Sequence, residues 1–157
     1  MSSLPEACRR VDAELARAGV VGRVRLLPEP APTAAAAAAQ LGCPVGAIAN
    51  SLVFATGDGA PLLVMTSGAH RVDTDRVGRL LLTGVRRADA EFVRQHTGQP
   101  IGGVAPIGHP ARVPTLVDRD LAAYEQLWAA GGIPHAVFPL TYAELLTLTG
   151  GTETEVA

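Results

Sequence analysis

Thirteen consecutive residues, Gly98-Gln-Pro-Ile-Gly-Gly-Val-Ala-Pro-Ile-Gly-His-Pro110, hold four glycines and three prolines and no Asp, Glu, Lys or Arg. No regular element accommodates that composition, because each proline removes a backbone donor and fixes φ, and each glycine adds to the entropy lost on ordering. The stretch has to be a shaped loop, with the helices and strands arranged around it. One use of such a loop is a plain surface connection. The other is recognition: glycines let backbone approach a ligand and prolines hold the path, so N–H and C=O groups are offered at fixed points to an oxyanion or a sugar hydroxyl.

The chain has 157 residues, which predicts one domain, 1–157, with its own core. Leu4, Cys8, Val11, Leu15 and Ala18 recur at helical spacing behind a Ser3–Glu6 capping box, predicting a helix ended by Gly19. A short strand over Arg23–Leu27 follows. Thr33 is placed to cap an alanine-rich helix to Leu41, with Gly42 ending it. Ile48–Thr56 and Pro61–Ser67 flank Gly57-Asp-Gly59, the pattern of a hairpin near the centre of a sheet. Asp73 and Asp89 are N-caps of two further helices, to Leu82 and Gly98, with a strand over Gly84–Arg87 between them. Beyond the loop we expect a strand over Arg112–Val117, a helix over Arg119–Ala130, a turn at Gly131-Gly132 and a strand over His135–Pro139. A helix opens at the capping box Thr141–Glu144, and a frayed tail runs over Gly151–Ala157. Irregular alternation of this kind indicates an α+β domain with a curved, mixed, barrel-like sheet flanked by helices.

No apolar run reaches the roughly 18 to 20 residues that span a bilayer, so a soluble, cytoplasmic protein without a membrane partner is expected. The net charge is −2, which disfavours bulk electrostatic capture of long nucleic acid, since each neutralised phosphate needs a cation. All thirteen basic residues are arginine, and there is no lysine. Cys8 and Cys43 show no metal spacing and no activating surroundings and read as packed thiols. His70, His96, His109 and His135 lack paired metal spacing, and no nucleotide-binding glycine motif is present, so neither metal nor cofactor is expected. His109 in the loop and His135 after Gly131-Gly132 are each a surface or cap histidine, or a polar partner at a site. Arg71, Arg76, Arg79, Arg86 and Arg87 form a short basic cluster, in which Arg76 and Arg79 share one helical face that either meets a phosphate or is a solvated face beside Asp73 and Asp75.

Thr33 to Gly42 followed by Ile48-Ala-Asn-Ser-Leu-Val-Phe54, then Gly68-Ala-His-Arg-Val-Asp73, the Gly98–Gly108 loop, Val117-Asp118 and Gly131-Gly132 form an ordered series. In that series, over roughly residues 15–150, the chain resembles the YbaK/EbsC family, related to the editing insertion of bacterial prolyl-tRNA synthetase. The resemblance implies an aminoacyl-tRNA deacylase that acts in trans for translation fidelity. It would cleave the ester of a mischarged tRNA with water, helped by a ribose hydroxyl, without a metal or covalent intermediate. Asn50 and Ser51 would orient the ester, Gly102 and Gly103 supply backbone donors, and His135 or His109 serve as polar partner. Gly98, Val104, Ala105, Pro106, Gly108, Arg71, Gly131 and Gly132 would complete the substrate site. The expected partner is the acceptor end of an aminoacyl-tRNA, with a synthetase nearby. One departure bears on mechanism: the family places a lysine before the small polar residue, where this chain has Asn50. Loss of one preorganised donor of charge typically costs ~10² to 10³ in rate. A binding module that kept the pocket and lost hydrolysis, and a small-molecule esterase, are the other two readings.

Overall fold

The structure is a computed structural model that describes residues 4–157. Its helices are α1 (Glu6–Arg17), α2 (Ala34–Leu41), α3 (Thr74–Leu81), α4 (Ala90–Thr97) and α5 (Tyr142–Thr149). Its strands are β1 (Arg25–Leu26), β2 (Ile48–Thr56), β3 (Pro61–Ser67), β4 (Val85–Arg87), β5 (Thr115–Asp118), β6 (Leu127–Ala130), β7 (Ala136–Leu140) and β8 (Thr152–Thr154). The capping chemistry legible in the sequence forms as expected. Thr33, Asp73, Asp89 and Thr141 each accept a hydrogen bond from the backbone N–H three residues on, and Glu144 completes the box at Thr141. Gly42, Gly98 and Gly150 close their helices in the left-handed conformation. The predicted cap at Ser3 lies outside the described residues; Pro5 occupies the N-cap of α1 without a side-chain bond.

All eight strands join one mixed sheet, ordered β1-β7-β6-β2-β3-β5-β8, with β4 paired to β2 off that path. The β2–β3 hairpin sits at the centre, as the sequence indicates. The sheet is open rather than barrel-like: β1 and β8 are its two ends. Residue alternation sorts the core onto its faces. Ala49, Val53, Leu63 and Met65 pack with the buried α1 stripe Cys8, Val11 and Leu15, with Val93 of α4 and with Leu145 of α5. On the other face Ile48 and Trp128 pack with Ala37 and Ala38 of α2, while Phe54, Leu62 and Val64 pack with Val77 of α3.

Three expectations are corrected. The predicted helix over Arg119–Ala130 is a 3-10 turn (Arg119–Ala123) followed by β6. Leu127, Trp128 and Ala129 are all buried, Leu127 and Ala129 in the main core and Trp128 on the other face against α2, and a strand covered on both faces has no alternation to betray it. The tail does not fray: β8 pairs parallel with β5, and Val156 is fully buried against Phe54, Leu62 and Val77. The strand expected over Arg112–Val117 starts later, at Thr115.

Candidate functional site

One edge of β2 is continuous and the other is split. Along the first, β3 pairs with every residue from Ala49 to Ala55. Along the second, β6 pairs only with Ile48 and Ala49, and β4 only with Phe54, Ala55 and Thr56. Between these partners the sheet parts into a cleft of about 310 Å³, walled by β2, β6, α2, the start of α4 and the glycine loop. The polarity of the exposed edge follows from its neighbours. Gly68 N–H donates to Ile48 O on the β3 side, and Ala88 N–H to Val53 O on the split side. Alternation therefore aims the N–H and C=O of Ser51 into the gap, where no ladder among the described residues meets them.

The side chains of Asn50 and Ser51 leave the strand on opposite faces. Asn50 is exposed at the cleft, and its amide has no hydrogen-bond partner among the described residues. The Ser51 hydroxyl donates to Met65 Sδ at 3.2 Å across the hairpin. It is thus the backbone of Ser51, rather than its hydroxyl, that is free at the site. Arg87 is the one charged side chain among the lining residues, and no carboxylate pairs with it in the described structure. Its partner in the ladder is Phe54, which puts Arg87 on the same face as Asn50. Trp128 lines the same cleft and carries the guanidinium of Arg25 4.4 Å from its ring centroid.

The glycine loop divides into two parts. Ile101, Gly102 and Val104 reach the cleft, with Gly102 at φ +88° and open space where a Cβ would lie. The rest is bonded to itself. Gln99 is buried and bridges the loop: Nε2 donates to Ile107 O at 3.1 Å and Oε1 accepts from Ala105 N–H at 2.7 Å. Ala105 and Pro106 are buried away from the cleft, Gly98 is the cap of α4, and Gly108 packs near Gln99. His109 Nε2 donates to Ala105 O at 2.8 Å, and burial pushes the imidazole below its ordinary range against the opposing pull of that bond.

Gly103 is a glycine for a different reason from Gly102. Its N–H already donates to Pro100 O, and a Cβ on it would sit 2.3 Å from the carbonyl carbon of Ile133. Gly132 N–H donates to Gly103 O, and Gly131 N–H to Ala136 O. These three glycines lash the loop to the β6–β7 turn and leave Gly102 as the loop glycine facing the cleft. His135 is half-buried outside the cleft, its carbonyl accepting from Leu27 N–H at 2.7 Å. Arg71 is exposed and also outside it.

Of the residues anticipated from the sequence, the cleft thus brings together Asn50, Ser51, Gly102 and Val104. Sequence reasoning missed Arg87 and Trp128 as site residues. Arg86 and Arg87 are adjacent on a strand, so alternation requires them to face opposite ways, which was a usable signal. Trp128 was hidden in the segment read as a helix. Cys8 and Cys43 lie elsewhere, and burial raises both thiols above their ordinary range.

Residues 28–148 match the model of the aminoacyl-tRNA editing domain family. A proposed trans-editing enzyme for prolyl tRNA synthetase superposes with a TM-score of 0.93 at 41% identity, the match covering 98% of each chain. A scaffold protein used for epitope backbone grafting gives 0.92 at 38% identity, again with 98% of each chain covered. A hypothetical protein gives 0.86 at 29% identity, over 94% of this chain and 98% of the other. The split sheet, the loop at its mouth and the sequence that builds them belong to a chain that is a member of the aminoacyl-tRNA editing domain family.

Proposed function

We propose that this protein is an aminoacyl-tRNA deacylase that hydrolyses mischarged tRNA in trans, with the terminal adenosine and its acyl group held in the cleft beside β2. The observation that carries this reading is the concentration of uncommitted polar groups there: the Asn50 amide, the Ser51 backbone and the Arg87 guanidinium. Water-exposed groups elsewhere on a surface are ordinary, but donors gathered in a half-enclosed cleft act on charge with less screening.

Among the described residues the lining contains no carboxylate, histidine or cysteine. The chain therefore contributes orientation and donors, and the proton of the attacking water passes to the substrate, whose terminal ribose hydroxyl lies beside the ester. Asn50 donates to the ester carbonyl as negative charge develops on it. Arg87, on the same face as Asn50, meets a phosphate of the single-stranded acceptor end, and Ile101 and Gly102 border the ribose. With one cation in the cleft and Arg25 near its rim, few phosphates are engaged, so the salt slope of log affinity corresponds to about one to four contacts.

Incubation of the purified protein with a panel of mischarged tRNAs tests the reading. Release of free amino acid from one or more of them is the expected result. Saturable binding without release identifies a binding module instead, and the absence of both binding and release refutes the assignment. The panel also identifies the accepted amino acid, because size discrimination by an apolar wall is worth only about 1 to 3 kcal/mol per methylene.

A further inference from the structure

The gap in the sheet leaves the backbone hydrogen-bonding groups of one residue of β2 unmet. β6 stops pairing with β2 at Ala49 and β4 starts at Phe54, while Ala88 N–H reaches back to Val53 O. One residue, Ser51, is left with both its N–H and its C=O pointing at the vacant edge. In an antiparallel sheet, a residue of this polarity exchanges two hydrogen bonds with the single residue opposite it. An open edge of this kind is the feature that extended ligands complete by adding main-chain bonds.

An aminoacyl ester carries the matching pair of groups. Its α-ammonium is a donor and its acyl carbonyl an acceptor, separated by one Cα, as the N–H and C=O of a strand residue are. Building on the deacylase reading, we infer that the aminoacyl group docks as a one-residue β-strand in this gap: Ser51 N–H donates to the acyl carbonyl and Ser51 C=O accepts from the α-ammonium. Ser51 is then a substrate-binding residue through its main chain, and its hydroxyl, held by Met65, is not required.

The docking fixes three further features of the bound substrate. The acyl unit runs antiparallel to β2, so the ester lies toward Asn50 and the ammonium toward Val53. A residue opposite Ser51 in such a pair directs its side chain to the same face as Ser51. The amino-acid side chain therefore enters on the face of Val53 and Val93, while the tRNA approaches over the opposite face, where Asn50 and Arg87 stand. The recognised feature is the α-amino acid main chain itself, a group common to every mischarged tRNA and absent from other acyl esters.

The test uses the full-length protein and a tRNA that it deacylates, charged either with the amino acid or with the des-amino acyl group of the same side chain. An ammonium also speeds spontaneous ester hydrolysis, so each enzymatic kcat/KM is divided by the uncatalysed rate of the same ester. The normalised value is expected to fall at least tenfold for the des-amino ester. A second arm replaces Ser51 with its α-hydroxy acid by nonsense suppression, which removes the N–H and makes the Asn50 carbonyl, paired with Thr66 across the hairpin, a weaker acceptor. Since no ladder uses that N–H, the variant should stay folded with the modest loss of stability that a weakened Asn50–Thr66 bond brings, while kcat/KM falls at least tenfold. Equal normalised rates for the two esters overturn the inference and leave the deacylase reading standing, as does full activity of the folded backbone-ester variant. Absence of hydrolysis of every aminoacyl ester defeats the deacylase reading and this inference with it.

Discussion

Two groups of polar residues flank the central hairpin, one along the outer edge of β3 and one along the outer edge of β2, and they are built on opposite terms. Beside β3, at the end of β5, Asp118 is 1% exposed, and both of its oxygens are occupied. Oδ2 accepts from Ser67 N–H at 2.9 Å, from Thr66 Oγ1 at 3.3 Å and from His70 Nε2, while Oδ1 accepts from Asp120 N–H at 3.0 Å. His70, Asp118 and Asp120 bring one potential metal ligand each within 4.8 Å, yet the buried carboxylate is already committed to holding the β3–α3 connection against β5. In the cleft, by contrast, the Asn50 and Arg87 side chains and the Ser51 backbone N–H and C=O have no partner among the described residues. A polar group that is buried and satisfied reports on folding; one that is uncommitted in a concave site reports on a ligand. The hub is therefore architecture, and the cleft is where chemistry is proposed.

The largest effect is expected in the hub. Asp118→Ala strips the acceptor from buried Ser67 N–H and from Thr66, and should lower stability by roughly 3 kcal/mol in chemical denaturation. If it leaves the denaturation midpoint unchanged but abolishes tRNA deacylation, the contrast between hub and cleft is reversed. Gly103→Val comes next: a Cβ at 2.3 Å from backbone forces the loop off the β6–β7 turn, costing about 2 kcal/mol, with activity lost as Ile101 and Gly102 are displaced. An unperturbed denaturation midpoint would mean that the glycine does not serve packing. Arg87→Ala should be the mirror image of Asp118→Ala. Stability should change by less than about 0.5 kcal/mol, KM for mischarged tRNA should rise about tenfold, equivalent to ~1.4 kcal/mol, and the salt slope should fall by about one. An unaltered KM and slope would remove Arg87 from the site.

The smallest effect concerns pH. Burial lowers the pKa of His109 in the folded state, so the unfolded chain binds more protons as pH drops below the ordinary imidazole value of about 6.5. Its contribution to stability is present above that value and is lost as pH falls toward the depressed folded one. Measured as the difference between the two proteins, His109→Gln should flatten this part of the stability curve while leaving deacylation at pH 7.5 unchanged.

Much of this architecture was legible because it is local. Thr33, Asp73, Asp89 and Thr141 advertise caps through side-chain chemistry that needs nothing distant, and Gly57-Asp-Gly59 marks its hairpin the same way. What was not legible depends on neighbours far along the chain. Leu127–Ala130 is a strand because β2 and β7 enclose it, and Thr152–Thr154 is ordered because β5 offers an edge and Val156 finds a pocket against Phe54 and Val77. The site shows the same division. Asn50 could be singled out from the strand motif and its place in the family pattern, whereas the vacancy beside Ser51 exists only because β6 and β4 stop short of each other. The glycine loop illustrates both outcomes. Its composition marked it as shaped backbone, but composition could not show that Gly103 faces the Ile133–Pro134 backbone while Gly102 faces the cleft.

If the uncommitted groups beside β2 act on the scissile ester, Asn50 is the one whose charge can be changed without touching the backbone. Single-turnover deacylation of a mischarged tRNA should be measured for the wild type, Asn50→Lys and Asn50→Ala, with denaturation midpoints alongside. Asn50 is exposed at the cleft, so all three proteins should fold with similar stability. A cation at this position should raise the rate at least about tenfold, ~1.4 kcal/mol of transition-state stabilisation, and Asn50→Ala should lower it. Three well-folded proteins with the same rate would contradict that action on the ester and place the chemistry elsewhere on the molecule.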